Sequence, residues 1–229
     1  LFHDFRKLAI SVFLVSVIDQ VFWKTNQIIL GIVRGTSAVA VYSIASLIYM
    51  NYMALSTAIS GVYLPHITEM VAQKKPVGEL SLLFIQIGRW QYYILALVAT
   101  GFIIFGKQFI QMWAGKGFED SYWITIIIIL PFTIDLIQNI GLSILQAMNL
   151  YDFRAKIYFC AGILNLVLAI PLAYWYGGIG CAFATGISMF VGNGLIMNFF
   201  YSRFIGLNIS EFWRQITRIT LSVLICLGV

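Results

Sequence analysis

The sequence predicts an all-α fold, a polytopic bundle of membrane-spanning helices, and three observations carry that expectation. Of 229 residues, 61% are hydrophobic and 10% are charged, with a mean hydropathy of +0.91. A soluble domain has about 45–50% apolar and about 25% charged residues, so both departures point into a bilayer. The apolar residues form long continuous runs of the ~20 residues a spanning helix needs, unlike the ~10-residue alternations of a barrel strand. Within these runs the polar residues recur at helical spacing, on one side of each predicted helix.

Six complete runs and one truncated run follow one another: 8–31, 38–64, 82–105, 122–146, 157–176 and 179–201, then an incomplete one from 215 onward. Residues 1–201 read as a six-helix transmembrane bundle, and 202–229 as an inside loop with the start of a further spanning helix. The chain does not begin with Met and ends at Val229 inside an apolar run, so it reads as an excerpt of a longer protein. No leader segment is visible. With the first residues inside, the inside connections hold Arg6, Lys7, Lys74, Lys75, Arg154, Lys156, Arg203 and Arg214, and the outside ones Arg34, Lys107 and Lys116. The positive-inside rule favours this orientation. Trp113, Trp123 and Trp175 then fall near outer ends and Trp213 near an inner one, where amphipathic rings prefer to be.

The first run, LAISVFLVSVIDQVFWKTNQIILG, is the most informative. Its second half carries Asp19, Gln20, Lys24, Asn26 and Gln27. On a helix turning about 100° per residue, Asp19, Trp23, Asn26 and Gln27 fall within an arc of about 100°, with Gln20 and Lys24 flanking it. Val15, Val17, Ile18, Val21, Ile29 and Leu30 cover much of the other side. A charge at membrane depth is costly and marks a functional hypothesis by default. Trp23, Lys24, Asn26 and Gln27 are therefore candidate substrate contacts, and Asp19 a candidate ion-coupling group.

The second run ends at Pro65, a plausible stop. Its Tyr42, Tyr49, Asn51, Tyr52, Ser56, Thr57 and Ser60 are either hydroxyls and amides satisfied within a bundle or part of a cavity lining. The third run places Gln86, Arg89 and Tyr93 on one face. Arg89 either snorkels to the inner headgroups or serves as a cavity cation for an anionic group, since guanidinium grips phosphate with two parallel donors.

The fourth run carries Pro131, which can bend a helix, and a second polar stripe of Asp135, Gln138, Asn139 and Gln146. A buried carboxylate must be paired or protonated, so Asp135 is either a structural partner of Arg89 or Lys24, or a proton- or cation-responsive site. Gln138 and Asn139 are candidate substrate contacts. The fifth and sixth runs are joined by Gly177-Gly178-Ile179-Gly180, a tight turn that glycine permits. Asn165, Asn193 and Asn198 read as interhelical glue. Asn208-Ile-Ser210 matches a glycosylation sequon but falls in a predicted inside loop.

Several functions are disfavoured. The basic residues are scattered among separate connections, so no basic face for nucleic acid forms. Cys160, Cys181 and Cys226 lie in apolar runs without a CxxC or Cys/His cluster, so neither a metal site nor a disulfide frame is expected. There is no nucleotide-binding glycine loop followed by Lys-Ser/Thr, and only His3 and His66 are available for histidine chemistry. The chain reads as a non-enzyme without a cofactor.

Four stretches together resemble the polysaccharide-repeat flippases, the O-antigen translocase type within the multidrug/oligosaccharidyl-lipid/polysaccharide exporter superfamily. They are TNQIILGIVRGTSAVAVYSIAS (25–46), GVYLPHITEM (61–70), LPFTIDLIQNIGLSILQAMN (130–149) and YGGIGCAFAT (176–185), and the inside connection NLYDFRAKIY (149–158) fits too. The resemblance implies two facing six-helix bundles, of which this chain is the second, C-terminal one. It implies transfer of undecaprenyl-pyrophosphate-linked oligosaccharide across the bacterial inner membrane, for lipopolysaccharide O-antigen or exopolysaccharide synthesis. Lys24 and Arg89 are then the cations that meet the pyrophosphate, and a polysaccharide polymerase and glycosyltransferases are partners. Two other readings stand beside it. Asp19 and Asp135 suit a proton- or sodium-coupled antiporter of drugs or metabolites, and the polar inside loops suit a non-transporting scaffold for glycan assembly.

Overall fold

A computed structural model describes residues 23–228, with side chains except at 151, 152 and 222–228. Asp19 and most of the first run therefore lie outside the described residues. Residues 23–34 form the helix α1, which ends at Gly35 with φ 83°. Then follow α2 (Thr36–Ala72), α3 (Val77–Trp113), α4 (Asp120–Leu136), α5 (Asn139–Ala147) and α6 (Tyr151–Met189). A π-helical segment (Phe190–Ile196), the short α7 (Met197–Phe200), a second π segment (Tyr201–Ile205) and α8 (Ile209–Gly228) complete the chain. The described residues contain no strand.

Three helical runs are long and apolar enough to cross a membrane: Thr36–Ala72, Val77–Trp113 and Phe153–Ile205. The bent pair α4–α5 makes a fourth if taken as one span. The expectation of six complete spans is thus corrected to three or four among the described residues. The first run is described only from residue 23, and the fifth and sixth are two helical arms meeting at Gly177 within the 53 residues Phe153–Ile205.

That 53-residue run is not straight. Gly177, at φ 60° and ψ −135°, leaves the helical region, and only glycine occupies such a conformation cheaply. Beyond it the chain folds back. Thr185 Oγ1 lies 3.4 Å from Asn165 Oδ1, and the rings of Phe153 and Phe200 stack at 3.8 Å. Residues twenty positions apart on a straight helix would be about 30 Å apart. The glycine-rich turn read from the sequence is therefore present, between the two helical arms.

Two prolines sit inside helices. α2 continues through Pro65 to Ala72 rather than stopping there. The carbonyl that Pro65 leaves without a partner belongs to Gly61, which is exposed, so it can be solvated. In the fourth run the helix passes Pro131 and bends by 41° between Leu136 and Asn139. The Leu136 carbonyl freed near that bend accepts the Ser56 hydroxyl of α2 at 2.7 Å. A neighbouring helix thus supplies the donor that a broken helix in lipid requires.

The same seam explains the polar residues of α2. Tyr52 Oη donates to the Leu95 carbonyl at 3.2 Å and pairs with Thr133 Oγ1 at 2.7 Å. Gln91, fully buried, donates to the Ser60 hydroxyl at 2.7 Å and to the Ser56 carbonyl at 3.1 Å. Asn51 and Thr57 are exposed and bond to their own helix. α4 packs against α2, α3 and α6, and α8 lies along α3. Asn208 caps α8, its Oδ1 accepting the Glu211 N–H at 3.1 Å, so the last helix begins earlier than its apolar run.

Candidate functional site

α1 is tied to α2 and α6 by a buried amide. Asn26, 2% exposed, donates from Nδ2 to Tyr42 Oη at 2.9 Å and to Thr185 Oγ1 at 2.6 Å. Its Oδ1 has no partner among the described residues. Gln27 reaches Ser46 Oγ at 3.3 Å and Ser43 Oγ at 3.4 Å, both on α2. Trp23 is half-buried, its ring centroid 5.4 Å from those of both Tyr49 and Phe132. Lys24, next along the helix, is exposed. A single turn of α1 therefore divides its work: Asn26 and Trp23 hold the bundle together, and Lys24 presents a cation at the surface.

A second polar cluster surrounds the break between α4 and α5. Asp135 sits just before the bend. The groups acting on its carboxyl are the Arg154 guanidinium of α6 and the Asn193 amide of the first π segment. Arg154 also lies 5.6 Å from the ring centroid of Tyr158. Arg154, rather than the expected Lys24 or Arg89, is the basic group that acts on Asp135, without an ion pair to it among the described residues; α6 packs against α4. Gln138 and Asn139 are buried; Gln138 donates to the Ile134 carbonyl at 2.9 Å, and its Oε1 has no partner among the described residues. π-helical turns are rare and recur at functional sites, and here one carries Asn193 to the carboxylate.

Arg89 is elsewhere. It is exposed on α3 and donates to Gln215 Oε1 of α8 at 3.1 Å. Gln91, two positions on, faces the opposite way into α2. Lys24 thus belongs to the α1–α2–α6 side and Arg89 to the α3–α8 side, and the structure does not join them in one contact set. Sequence reasoning missed Arg154 and Asn193 as partners of Asp135. Arg154 read as an inside-loop charge, and nothing in the sequence marks the π segment that turns Asn193 inward.

Between α2, α3 and α4 runs an open apolar groove of 830 Å³, lined by Leu47, Leu55, Val98, Phe102, Phe109 and Trp113 among others. Arg34, at the end of α1, donates to the carbonyls of Tyr174 at 2.6 Å, Trp175 at 3.2 Å and Ala173 at 3.3 Å. It caps the first arm of α6 where the Gly177 turn leaves carbonyls without helical partners. Among the described residues no three His, Cys, Asp or Glu side chains converge as a metal site.

The chain is 24% identical over 160 residues to an Escherichia coli (strain K12) protein named "Putative O-antigen transporter". The match covers 68% of this chain and 37% of that protein, so the chain spans well under half of this relative's length. No family model matches the sequence. No solved structure matches it either. The distant similarity and the long apolar helices together suggest a membrane transporter or flippase.

Proposed function

We propose that this chain is the C-terminal part of a flippase that moves undecaprenyl-pyrophosphate-linked oligosaccharide across the bacterial inner membrane by alternating access. The observation that carries the reading is the similarity to the Escherichia coli protein named "Putative O-antigen transporter", over two-thirds of a chain built from membrane-length helices. A pyrophosphate cannot cross hydrocarbon unaccompanied, for the reason that charged side chains cannot lie there cheaply. A cationic, hydrated face lowers that barrier while the polyprenyl tail stays in lipid. In this reading Lys24 meets the pyrophosphate on the exposed face of α1 and Arg89 does so nearer the inner rim. Trp23, Gln27 and Asn26 shape the wall behind Lys24, and Gln138 and Asn139 offer hydrogen bonds to sugar. A second bundle faces this one, and rocking between them opens the groove to each side in turn. A polysaccharide polymerase and glycosyltransferases are the partners.

The test is made in cells at matched protein level. Lys24→Ala and Arg89→Ala together are expected to abolish surface polysaccharide, with lipid-linked repeat units accumulating inside. Undiminished surface polysaccharide would remove both residues from the mechanism. The Asp135–Arg154–Asn193 cluster favours a second reading, an ion-coupled antiporter of the same superfamily in which Asp19 and Asp135 exchange a proton or sodium ion. Proton- or sodium-driven efflux from proteoliposomes that is lost in Asp135→Asn would support it.

A further inference from the structure

At the end of the bundle opposite most of the basic connections, the last turns of α3 meet the start of α4. A pocket of 260 Å³ lies there, lined by Lys107, Ile110, Gln111, Glu119, Tyr122 and Trp123. Its level in the bilayer follows from α3. Arg89 and Lys107 bracket seventeen uncharged residues, 90–106. At 1.5 Å per residue they stand about 27 Å apart, close to the ~30 Å of a hydrocarbon core. Lys107 therefore stands at headgroup depth, and Tyr122, Trp123 and Trp113 form the aromatic belt expected there.

The pocket holds two opposite charges that do not neutralise each other. The Lys107 ammonium lies 5.3 Å from the Tyr122 ring centroid and 5.0 Å from that of Trp123, held by two aromatic faces. Glu119 is held on the other wall, both its oxygens accepting the Gly117 N–H at 3.0 and 3.2 Å. Its own backbone N–H and that of Gly117 keep this carboxyl below the usual range, so it is ionised at neutral pH. The ion pairs among the described residues are Lys75–Glu79 and Arg214–Glu211, and neither Lys107 nor Glu119 takes part in one.

We propose that this pocket binds the phosphoethanolamine headgroup of a membrane phospholipid, with the phosphate on Lys107 and the ammonium on Glu119. A purely anionic headgroup would satisfy Lys107 but bring its charge against Glu119. A choline headgroup keeps the positive charge but cannot donate a hydrogen bond to the carboxylate. A volume of 260 Å³, below the usual ~300–1,000 Å³ of small-molecule sites, suits one headgroup and excludes an oligosaccharide. The site requires neither transport nor any particular transported substrate.

The test uses the purified protein and native mass spectrometry with defined lipids. Phosphatidylethanolamine should remain bound about fivefold more than phosphatidylglycerol, the ratio set by one or two partly exposed ion pairs. Phosphatidylcholine should fall between them. Glu119→Gln should erase the preference, Lys107→Gln should weaken retention of both lipids without erasing it, and Lys107→Arg should keep both retention and preference. Soluble glycerophosphoethanolamine in excess should displace the lipid if the headgroup carries recognition. Equal retention of the three lipids, an unchanged preference in Glu119→Gln, or undiminished retention in Lys107→Gln would overturn the proposal.

Discussion

Replacing Gly180 by alanine tests the fold-back that turns one helical run into two packed arms. A Cβ built there lies 2.0 Å from the Leu172 carbonyl oxygen, 2.5 Å from the Leu172 carbonyl carbon and 3.1 Å from its Cβ. Two of these three atoms are backbone, so no rotamer change relieves the clash. Ordinary contact begins at 3.4 Å, so the arms must separate by about 1.4 Å. Overpacking of this kind costs ~1–3 kcal/mol. The separation also breaks the Thr185–Asn165 contact, already at 3.4 Å, which adds up to ~1 kcal/mol. For a chain of this size each kcal/mol moves Tm by about 2–4 °C, so Gly180→Ala should melt roughly 5–15 °C below wild type in detergent. Gly101→Ala is the control, since no atom lies within 4 Å of its added Cβ and alanine favours the helix by up to ~1 kcal/mol. Melting of Gly180→Ala within about 2 °C of Gly101→Ala would refute the packed hairpin.

Two further predictions follow from the polar contacts. Asn26→Leu keeps the branched shape but removes the donor to Tyr42 and Thr185, and should destabilise by about 2 kcal/mol, read by chemical or thermal unfolding. Adding Tyr42→Phe to it should cost clearly less than the sum of the two single changes, because one hydrogen bond is lost in both. Glu211 accepts Gln215 Nε2 at 2.7 Å and pairs with Arg214 at 2.6 Å, which hold its carboxyl below the ordinary value of 4.5. Its contribution is therefore complete above pH 4.5 and lost as pH falls through the lower folded value. The Tm difference between wild type and Glu211→Gln should be present at neutral pH and shrink as pH falls through the folded value of Glu211; a gap that persists in strong acid removes the linkage.

The resemblance to oligosaccharide flippases rests on motif order, and the polar stripes that gave it chemical content behave differently once folded. Asn26 and Trp23 are committed to packing, Arg89 bonds to Gln215, and among the described residues of the α1 cluster Lys24 is presented outward. Periodicity identifies which residues share a side of one helix. It carries no information on which neighbour that side will meet.

Composition and run length by themselves determined the all-helical membrane class, because only continuous apolar helices can satisfy their own backbone in lipid. The Gly177-Gly178 turn was legible too, since no other residue adopts that backbone at little cost. The tertiary structure alone decided that α2 runs through Pro65, and that the α4–α5 break is answered by Ser56. It also gave Asp135 its partners, Arg154 and Asn193. Those outcomes depend on which helix lies alongside which, and a donor supplied from 80 residues away leaves no mark on the local pattern.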